Sequence, residues 1–320
     1  MEEPLTDAQG RRISYLRLSV TDRCNFRCVY CGPSEAGRRD LDRPDILRLV
    51  RVFARLGVSR LRLTGGEPLF RRDLVELAAE IARVPGIEEL CLSTNGSALA
   101  ALAAPLRAAG IQKLNVSLDS LDEARFARLS HGGRLDEVIA GIDAARAARF
   151  PAIAVNTVVL RGENEDEAPA IVRWAWERGL TPRFIELMPF AGGIPVPIAE
   201  IRDRLERAGL PPRRELGRAP GCGPALYHAF DGERAIGFIG SLTENFCQSC
   251  NRLRVSARGE LQSCLGGKER VPLAPLLAEG VPEDRLVAEI RAALARKEEG
   301  HHFLEPRVGG NLLSMMGIGG

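Results

Sequence analysis

Lysine, aromatic residues and long apolar runs are all scarce in this chain of 320 residues, and each shortage excludes something. Only three of the 44 basic residues are lysine, and the net charge is +2, so no strong field indicates a nucleic-acid or membrane partner. Aromatic residues make up 5% and are scattered, whereas an arginine-driven RNA binder would interleave them with a clustered basic face. We therefore expect neither nucleic acid nor a membrane as a partner.

The absence of apolar runs also bears on location. None approaches the roughly 18–20 residues that a membrane-spanning helix needs. The opening MEEPLTDAQG is acidic and polar, unlike the basic and then apolar start of a secretory signal. We expect a cytoplasmic protein, whose thiols stay reduced. Its eight cysteines then indicate metal or redox chemistry rather than a disulfide framework.

Short apolar segments alternate with helical patterns through the first two thirds of the chain. Apolar residues at helical spacing precede Gly57, and a second helical pattern at 74–81 has Asp73 as its expected N-cap. Strands are predicted at 13–20, 60–64, 89–94, 111–118, 152–159 and 182–188. Six strand–helix units predict an α/β fold with a parallel sheet, either open or curled into a barrel. The loops after the strands, where such folds bind ligands, contain TDRCNFRCVYC, GGEP, NG and DS.

The alternation of strand and helix patterns ends near residue 195, where proline and glycine become frequent. Short β-like runs follow at 225–230 and 235–240, and then a terminal helix near 283–297 and a glycine-rich tail. We therefore predict an α/β body over 1–195 and a smaller domain over 196–320.

Six of the cysteines form two groups of three. The spacings are C-x3-C-x2-C for Cys24, Cys28 and Cys31, and C-x2-C-x13-C for Cys247, Cys250 and Cys264. A four-iron cluster normally takes four thiolates, so three would leave one iron open to a small molecule. A zinc ion with three protein ligands is catalytic for the same reason.

Zinc remains an alternative for the second group, because it is a common occupant of C-x2-C pairs and a fourth ligand could come from His228, His301 or His302. It suits the first group less, since those thiols share one short loop without a nearby histidine. A zinc-stabilised binding module is therefore a competing interpretation. Cys91 and Cys222 are interpreted as non-ligands.

The first cysteine loop, with Tyr30 before its last cysteine, resembles the cluster loop of radical S-adenosylmethionine (SAM) enzymes. The second group, with CNRLR and a final IGG, narrows the resemblance to the GTP 3′,8-cyclase family. The resemblance extends through RLTGGEPLFRRDL, STNG, LNVSLDSL and RFIELMP. It implies an incomplete (β/α)6 TIM-like barrel, its open side covered by the C-terminal domain.

This resemblance implies two [4Fe-4S] clusters and SAM. Cys24, Cys28 and Cys31 would hold the first cluster and Cys247, Cys250 and Cys264 the second. The SAM contacts would be Tyr30, Gly66, Ser117 and Met188. A 5′-deoxyadenosyl radical would take the ribose 3′ hydrogen of GTP, and the sugar radical would attack guanine C8. The product, (8S)-3′,8-cyclo-7,8-dihydroguanosine 5′-triphosphate, is formed in the first step of molybdenum cofactor biosynthesis.

The implied GTP contacts include two arginines beside the second cysteine group. Arg252 and Arg254 are two apart, so an extended segment would present both on one face, where they suit a triphosphate. The full implied set is Arg17, Arg62, Ser93, Arg252, Leu253 and Arg254. The terminal Gly319 and Gly320 would thread into the site and be needed for turnover.

One departure from the family concerns position 154, where the family's usual lysine is replaced by Ala154. Arg161 is a candidate replacement by proximity in sequence. The resemblance also implies a homodimer, a reductant of unknown identity, and a downstream cyclic pyranopterin monophosphate synthase. A radical SAM peptide-modifying enzyme with an auxiliary cluster is the alternative within enzymes.

Overall fold

Six parallel strands form the centre of the sheet. The computed structural model describes residues 2–32, 40–189, 192–218, 223–232, 234–267, 269–301 and 303. The central strands are β1 Tyr15–Ser19, β2 Arg60–Thr64, β3 Glu89–Thr94, β4 Lys113–Ser117, β5 Ala152–Val159 and β6 Thr181–Glu186. Each pairs in parallel with the next along the chain. The six predicted strands are thus confirmed, with small differences at their ends.

Helices connect these strands, as a parallel arrangement requires. They are α1 Arg43–Arg55, α2 Leu74–Ile81, α3 Leu99–Ala108, α4 Glu123–Ser130, α5 Leu135–Ala147 and α6 Ala168–Glu177, followed by α7 Ile198–Arg207 and α8 Glu283–Ala295. Short 3-10 turns occupy Pro68–Phe70, Cys247–Ser249 and Ala274–Leu277. Within the described residues no helix is long and apolar enough to cross a membrane.

The C-terminal part of the chain extends this sheet at both ends. Its strands are β7 Arg214–Arg218, β8 Leu226–Ala229, β9 Ala235–Ile239, β10 Arg252–Val255, β11 Glu260–Gln262 and β12 Val271–Pro272. β10 pairs in parallel with β1, and β9 pairs in parallel with β6. The order is β12-β11-β10-β1-β2-β3-β4-β5-β6-β9-β8-β7, with the outer pairs antiparallel.

The sheet curls around a cavity. Arg254 on β10, Arg17 on β1, Asn115 on β4 and Arg183 on β6 all border this one cavity, although several strands separate them in the order. Alternate residues of the same strands, such as Leu16, are completely buried on the other face among the helices. This arrangement confirms the incomplete barrel, with the C-terminal strands extending its wall at both ends.

The ends of α1 and α2 can be compared with the capping residues predicted from the sequence. Asp42 caps α1, its carboxylate accepting a hydrogen bond from the Asp45 amide at 3.0 Å, and Gly57 follows with φ +91°. Asp73 occupies the N-cap position of α2, but its side chain makes no cap hydrogen bond. The Asp73 carboxylate instead accepts from Arg71 Nε at 2.8 Å. The predicted N-cap position of Asp73 is therefore confirmed, but the carboxylate bonds the adjacent guanidinium instead of a helix amide.

Candidate active site

The loop that carries the first three cysteines packs directly against the GGEP turn. The Gly66 amide donates to Thr21 O and the Glu67 amide to Arg23 O, both at 2.7 Å. A Cβ at Gly65 would lie 2.6 Å from Thr21 O, and one at Gly66 would lie 2.4 Å from Arg23 O. The two glycines are required because any side chain would push this turn away from the cysteine loop.

Glu67 fixes the same turn from the other side. Its buried carboxylate accepts from the Leu69 amide at 3.0 Å, from Thr94 Oγ1 at 2.7 Å and from the Asn95 amide at 2.6 Å. Burial raises the pKa of Glu67 to about 7 in spite of these donors. Glu67 thus connects the GGEP turn to the end of β3, and through the turn it supports the cysteine loop.

The rest of the cysteine loop is held by backbone hydrogen bonds. The Arg27 amide donates to Ser130 O at 3.1 Å, and the Val29 amide donates to Leu129 O at 3.0 Å. The three thiols of Cys24, Cys28 and Cys31 are partly buried. Burial raises the pKa of Cys24 to about 11, whereas the neighbouring thiol of Cys31 and burial raise the pKa of Cys28. The surroundings of these two thiols therefore disfavour their thiolate forms.

Tyr30 contributes a buried hydroxyl beside this loop. It donates to Asp119 Oδ2 at 2.5 Å, and Asp119 Oδ1 accepts from the Val158 amide at 2.9 Å. Burial raises the pKa of Asp119 to about 6. The cysteine loop is therefore connected by a side-chain bond to the carboxyl end of β4.

The second cysteine group lies where β10 and β11 meet the rim of the barrel. The Cys250 amide donates to Cys247 O at 3.0 Å, and Cys264 follows β11. Burial raises the pKa of Cys250, but the charges of Arg252 and Lys297 outweigh it and lower the value to about 7. These thiols therefore have cations beside them.

Both cysteine groups line the same cavity. Leu253 differs from its neighbours, because its side chain is fully buried in the core on the opposite face of β10. Cys222, Gly319 and Gly320 lie outside the described residues. The sequence-predicted residues that border the cavity are Cys24, Cys28, Cys31, Cys247, Cys250, Cys264, Tyr30, Gly66, Ser117, Met188, Arg17, Arg62, Ser93, Arg252 and Arg254.

Three arginines form a row across neighbouring strands of the wall. Arg17 on β1 is in register with Arg254 on β10 and with Arg62 on β2. Arg62 donates from Nε to Tyr15 OH at 2.6 Å and from NH1 to Leu92 O at 3.1 Å. Burial and the nearby charges lower the pKa of Arg17 to about 10 and also lower the pKa of Arg254. Guanidinium groups gathered in a buried wall favour a polyanionic ligand.

Comparisons with known proteins identify the relatives of this chain. The family model for the radical SAM superfamily matches residues 18–175, and the model for Molybdenum Cofactor Synthesis C matches residues 180–303. A GTP 3′,8-cyclase from Pelotomaculum thermopropionicum is 43% identical over 314 residues, covering 94% of this chain and 96% of its own length. Another from Paracoccus denitrificans is 45% identical over 316 residues, with 94% and 90% covered.

The chain belongs to the GTP 3′,8-cyclase family.

Two solved structures share the fold of this family member. Streptococcus suis SuiB bound to S-adenosylmethionine gives a TM-score of 0.63 at 14% identity, covering 92% of this chain and 74% of SuiB. SuiB bound to its precursor peptide SuiA gives 0.61 at 15% identity, with 90% and 71% covered. At such low identity the likeness shows the fold alone.

Arg183 of the cavity wall was not predicted from the sequence. Arg161, the candidate to replace the family's lysine at Ala154, lies elsewhere. Arg161 bonds Glu200 through NH2 at 2.8 and 2.9 Å and is not among the described residues that border the cavity. Arg183 does border it, and its NH1 donates to Asn115 Oδ1 at 3.0 Å. Because β5 separates β4 from β6, the Arg183 side chain crosses the strand that carries Ala154. The signal was present as an arginine placed between Pro182 and Phe184 in β6.

The positions of the histidines do not support zinc as the occupant of the second cysteine group. His302 lies outside the described residues, and His228 is not one of the described residues that line the cavity. His301 borders it, but its Nε2 lies 2.6 Å from Ser241 O. Across the described part of the chain no three His, Cys, Asp or Glu side chains are placed to hold a single metal ion.

Proposed function

We propose that this chain is a radical SAM GTP 3′,8-cyclase, which converts GTP to (8S)-3′,8-cyclo-7,8-dihydroguanosine 5′-triphosphate in molybdenum cofactor biosynthesis. The observation that carries the proposal is that two three-cysteine groups and a row of buried or half-buried arginines border one cavity. The family relatives, which are named GTP 3′,8-cyclases, support the substrate.

The first cysteine group suits a [4Fe-4S] cluster with one open iron. Three thiols from one loop, partly buried and opening into the cavity, supply three of the four ligands that such a cluster takes. Bound SAM and the reduced cluster supply the 5′-deoxyadenosyl radical chemistry. The chain's own part is to orient SAM, with Gly66, Ser117, Met188 and Tyr30 at the cavity wall, and to exclude water.

The second group would hold a second [4Fe-4S] cluster, which would help to bind the guanine of the substrate. Cys247, Cys250 and Cys264 are partly buried at another part of the same cavity. Arg252 lies over the Phe246 ring at 5.0 Å and so is already oriented by an aromatic contact. A substrate held here would have its ribose between the two cysteine groups.

The triphosphate would lie against the arginine wall. Arg17, Arg62 and Arg254 form its row, and Arg183 adds a fourth guanidinium near Ala154. Burial lowers the pKa of Arg183, so a phosphate oxygen beside it would restore the stability of the charged form. Bidentate guanidinium–phosphate contacts would fix the ribose relative to the radical.

The remaining partners follow from the same proposal. The enzyme needs a reductant for the first cluster, and its product would be passed to a cyclic pyranopterin monophosphate synthase. We also propose a cytoplasmic homodimer, and a role in turnover for Gly319 and Gly320.

The test is anaerobic reconstitution with iron and sulfide, followed by incubation with SAM, dithionite and GTP. We expect about eight irons per chain, formation of 5′-deoxyadenosine that requires GTP, and a cyclised nucleotide with the same mass as GTP. The absence of GTP-dependent 5′-deoxyadenosine would overturn the assignment. Two zinc ions without acid-labile sulfide would instead support a zinc-stabilised binding module.

A further inference from the structure

Lys297 is one of only three lysines in this arginine-rich chain, and it is buried. It lies just beyond α8, with 3% of its surface exposed. Lysine is seldom buried to this degree unless it is paired. Its position beside the second cysteine group therefore calls for an explanation.

The Lys297 ammonium connects the two segments that carry Cys250 and Cys264. Its Nζ donates to Ser263 O and lies 3.4 Å from Arg252 O. Ser263 immediately precedes Cys264, and Arg252 follows Cys250 by two residues. One buried cation thus contacts carbonyls that belong to two different loops.

Arg11 holds the third cysteine of the group in a similar way. Its NH1 donates to Cys247 O at 2.9 Å and to Glu299 O at 2.7 Å, and its NH2 donates to Glu298 O at 2.7 Å. The residues after Lys297 are therefore tied by Arg11 to the Cys247 loop. Together the two cations contact backbone at or near each of the three cysteines.

The two cations differ in their charge balance. Arg11 Nε lies 2.5 Å from Asp7 Oδ2, so a carboxylate neutralises it. Lys297 has no carboxylate within salt-bridge distance among the residues that the structure describes. Burial lowers the pKa of Lys297, and the groups that oppose this and favour its charged form are the thiols of Cys250 and Cys264. Lys297 therefore adds net positive charge at this site, whereas Arg11 mainly adds geometry.

We propose that Lys297 is a positioning residue that holds the second cysteine group together and stabilises the reduced state of the cluster bound there. The inference rests on the second cluster of the proposed function. Three thiolates give a four-iron cluster net negative charge, and one-electron reduction increases that charge. A buried cation nearby favours the reduced form and raises the potential, and outer-shell partners commonly tune metal sites in this way.

The experiment compares Lys297→Met with Lys297→Arg in the anaerobically reconstituted full chain. Arg296→Met is the matched control, because it removes a half-exposed cation one residue away that pairs with Glu269 at 2.7 Å. Redox titrations followed by electron paramagnetic resonance give the midpoint potential of each cluster. For Lys297→Met we expect the second cluster to be reduced about tenfold less favourably, about 59 mV lower for one electron. For Lys297→Met, the reduction equilibrium of the first cluster should change less than about threefold. For Lys297→Arg and Arg296→Met, the reduction equilibrium of the second cluster should also change less than about threefold.

Each other outcome is informative. An unchanged second-cluster potential in Lys297→Met, or an equal shift of both clusters, overturns the proposal. If Lys297→Met fails to bind the second cluster, Lys297→Arg decides: a bound cluster at the parent potential supports the proposal, and a lost cluster overturns it. If the parent protein binds only one cluster, the second cluster of the proposed function is refuted. An unchanged second-cluster potential refutes only the proposed role of Lys297, so the two failures are distinguishable.

Discussion

The two cysteine groups have the same number of thiols but different charged neighbours. The first is enclosed by backbone amides, the GGEP turn and the buried Asp119, and burial raises the pKa of Cys24 to about 11. The second has Arg252 and Lys297 beside it, and they lower the pKa of Cys250 to about 7. The surroundings thus raise the pKa of two thiols in the first group, whereas in the second group burial raises the pKa of Cys247 and the cations lower that of Cys250.

This difference suits the two tasks that we propose. A cluster in surroundings that disfavour added negative charge is a stronger reductant, and SAM cleavage needs a strong reductant. A cluster beside cations tolerates negative charge and lies close to the wall that would bind a triphosphate. The electrostatic surroundings, more than the ligand count, therefore distinguish the two halves of the cavity.

Removing a cysteine ligand should give the largest effect and should distinguish most clearly between the two cysteine groups. Cys24→Ala should abolish SAM cleavage and lower product formation by about 10³-fold or more, beyond the 10–100-fold typical of outer-shell changes. Cys264→Ala should block product to a similar extent but spare part of the SAM cleavage. Quantifying 5′-deoxyadenosine and cyclised nucleotide in parallel checks this. Equal loss of SAM cleavage in both variants would contradict it.

Removing a wall cation should give the next largest effect. Arg183→Met should weaken GTP binding about 10–100-fold, because a charged hydrogen bond contributes roughly 1.5–3 kcal/mol. Arg161→Met is the matched control, since Arg161 pairs with Glu200 away from the cavity. Equilibrium binding of GTP and of guanosine measures the effect, and guanosine affinity should change little. Equal weakening by both variants would show that Arg183 does not contact phosphate.

Displacing the GGEP turn should disturb only the site of the first cysteine group. Gly66→Ala places a Cβ about 2.4 Å from Arg23 O, and relieving such contacts costs about 1–3 kcal/mol. We expect lower iron occupancy at the first site and unchanged occupancy at the second, measured by Mössbauer spectroscopy. Gly232→Ala, where a Cβ meets nothing within 4 Å, should change neither site.

The smallest effect concerns the pH dependence of stability. The pKa of Glu67 is raised to about 7, so near pH 5–7 the folded state keeps a proton that the unfolded chain has released. The free energy of unfolding should therefore fall as pH rises through this range. Glu67→Gln should flatten the decline by about 1–2 kcal/mol. Denaturant unfolding between pH 5 and 8 measures it, and parallel curves for both proteins would contradict it.

Local patterns predicted the central strands well because each is buried on one face and bounded by turn residues. β2, β3 and β5 begin and end at the predicted residues. The pairing of β10 with β1 and of β9 with β6 was not predicted. Contacts between strands so distant in sequence are specified by three-dimensional packing and leave no local periodicity.

The candidate site was predictable where its residues share a motif. Cysteine spacing and the GGEP turn indicated two loops, and Arg252 was recognised through its nearness to Cys250. Arg183 and Lys297 were missed because a single arginine in a strand or lysine after a helix is common on surfaces. Their significance arises only from burial and from the hydrogen bonds that the fold creates.

The placement of β9 and β10 has a consequence for the newly made protein. β1 ends at Ser19, but its outer neighbour β10 begins at Arg252. At 5–20 residues per second, a ribosome leaves that edge without its partner for roughly ten to fifty seconds. An exposed edge is a template for intermolecular pairing. Premature termination before residue 252 should therefore yield fragments that aggregate, and nascent chains should depend on chaperones until the last third has been synthesised.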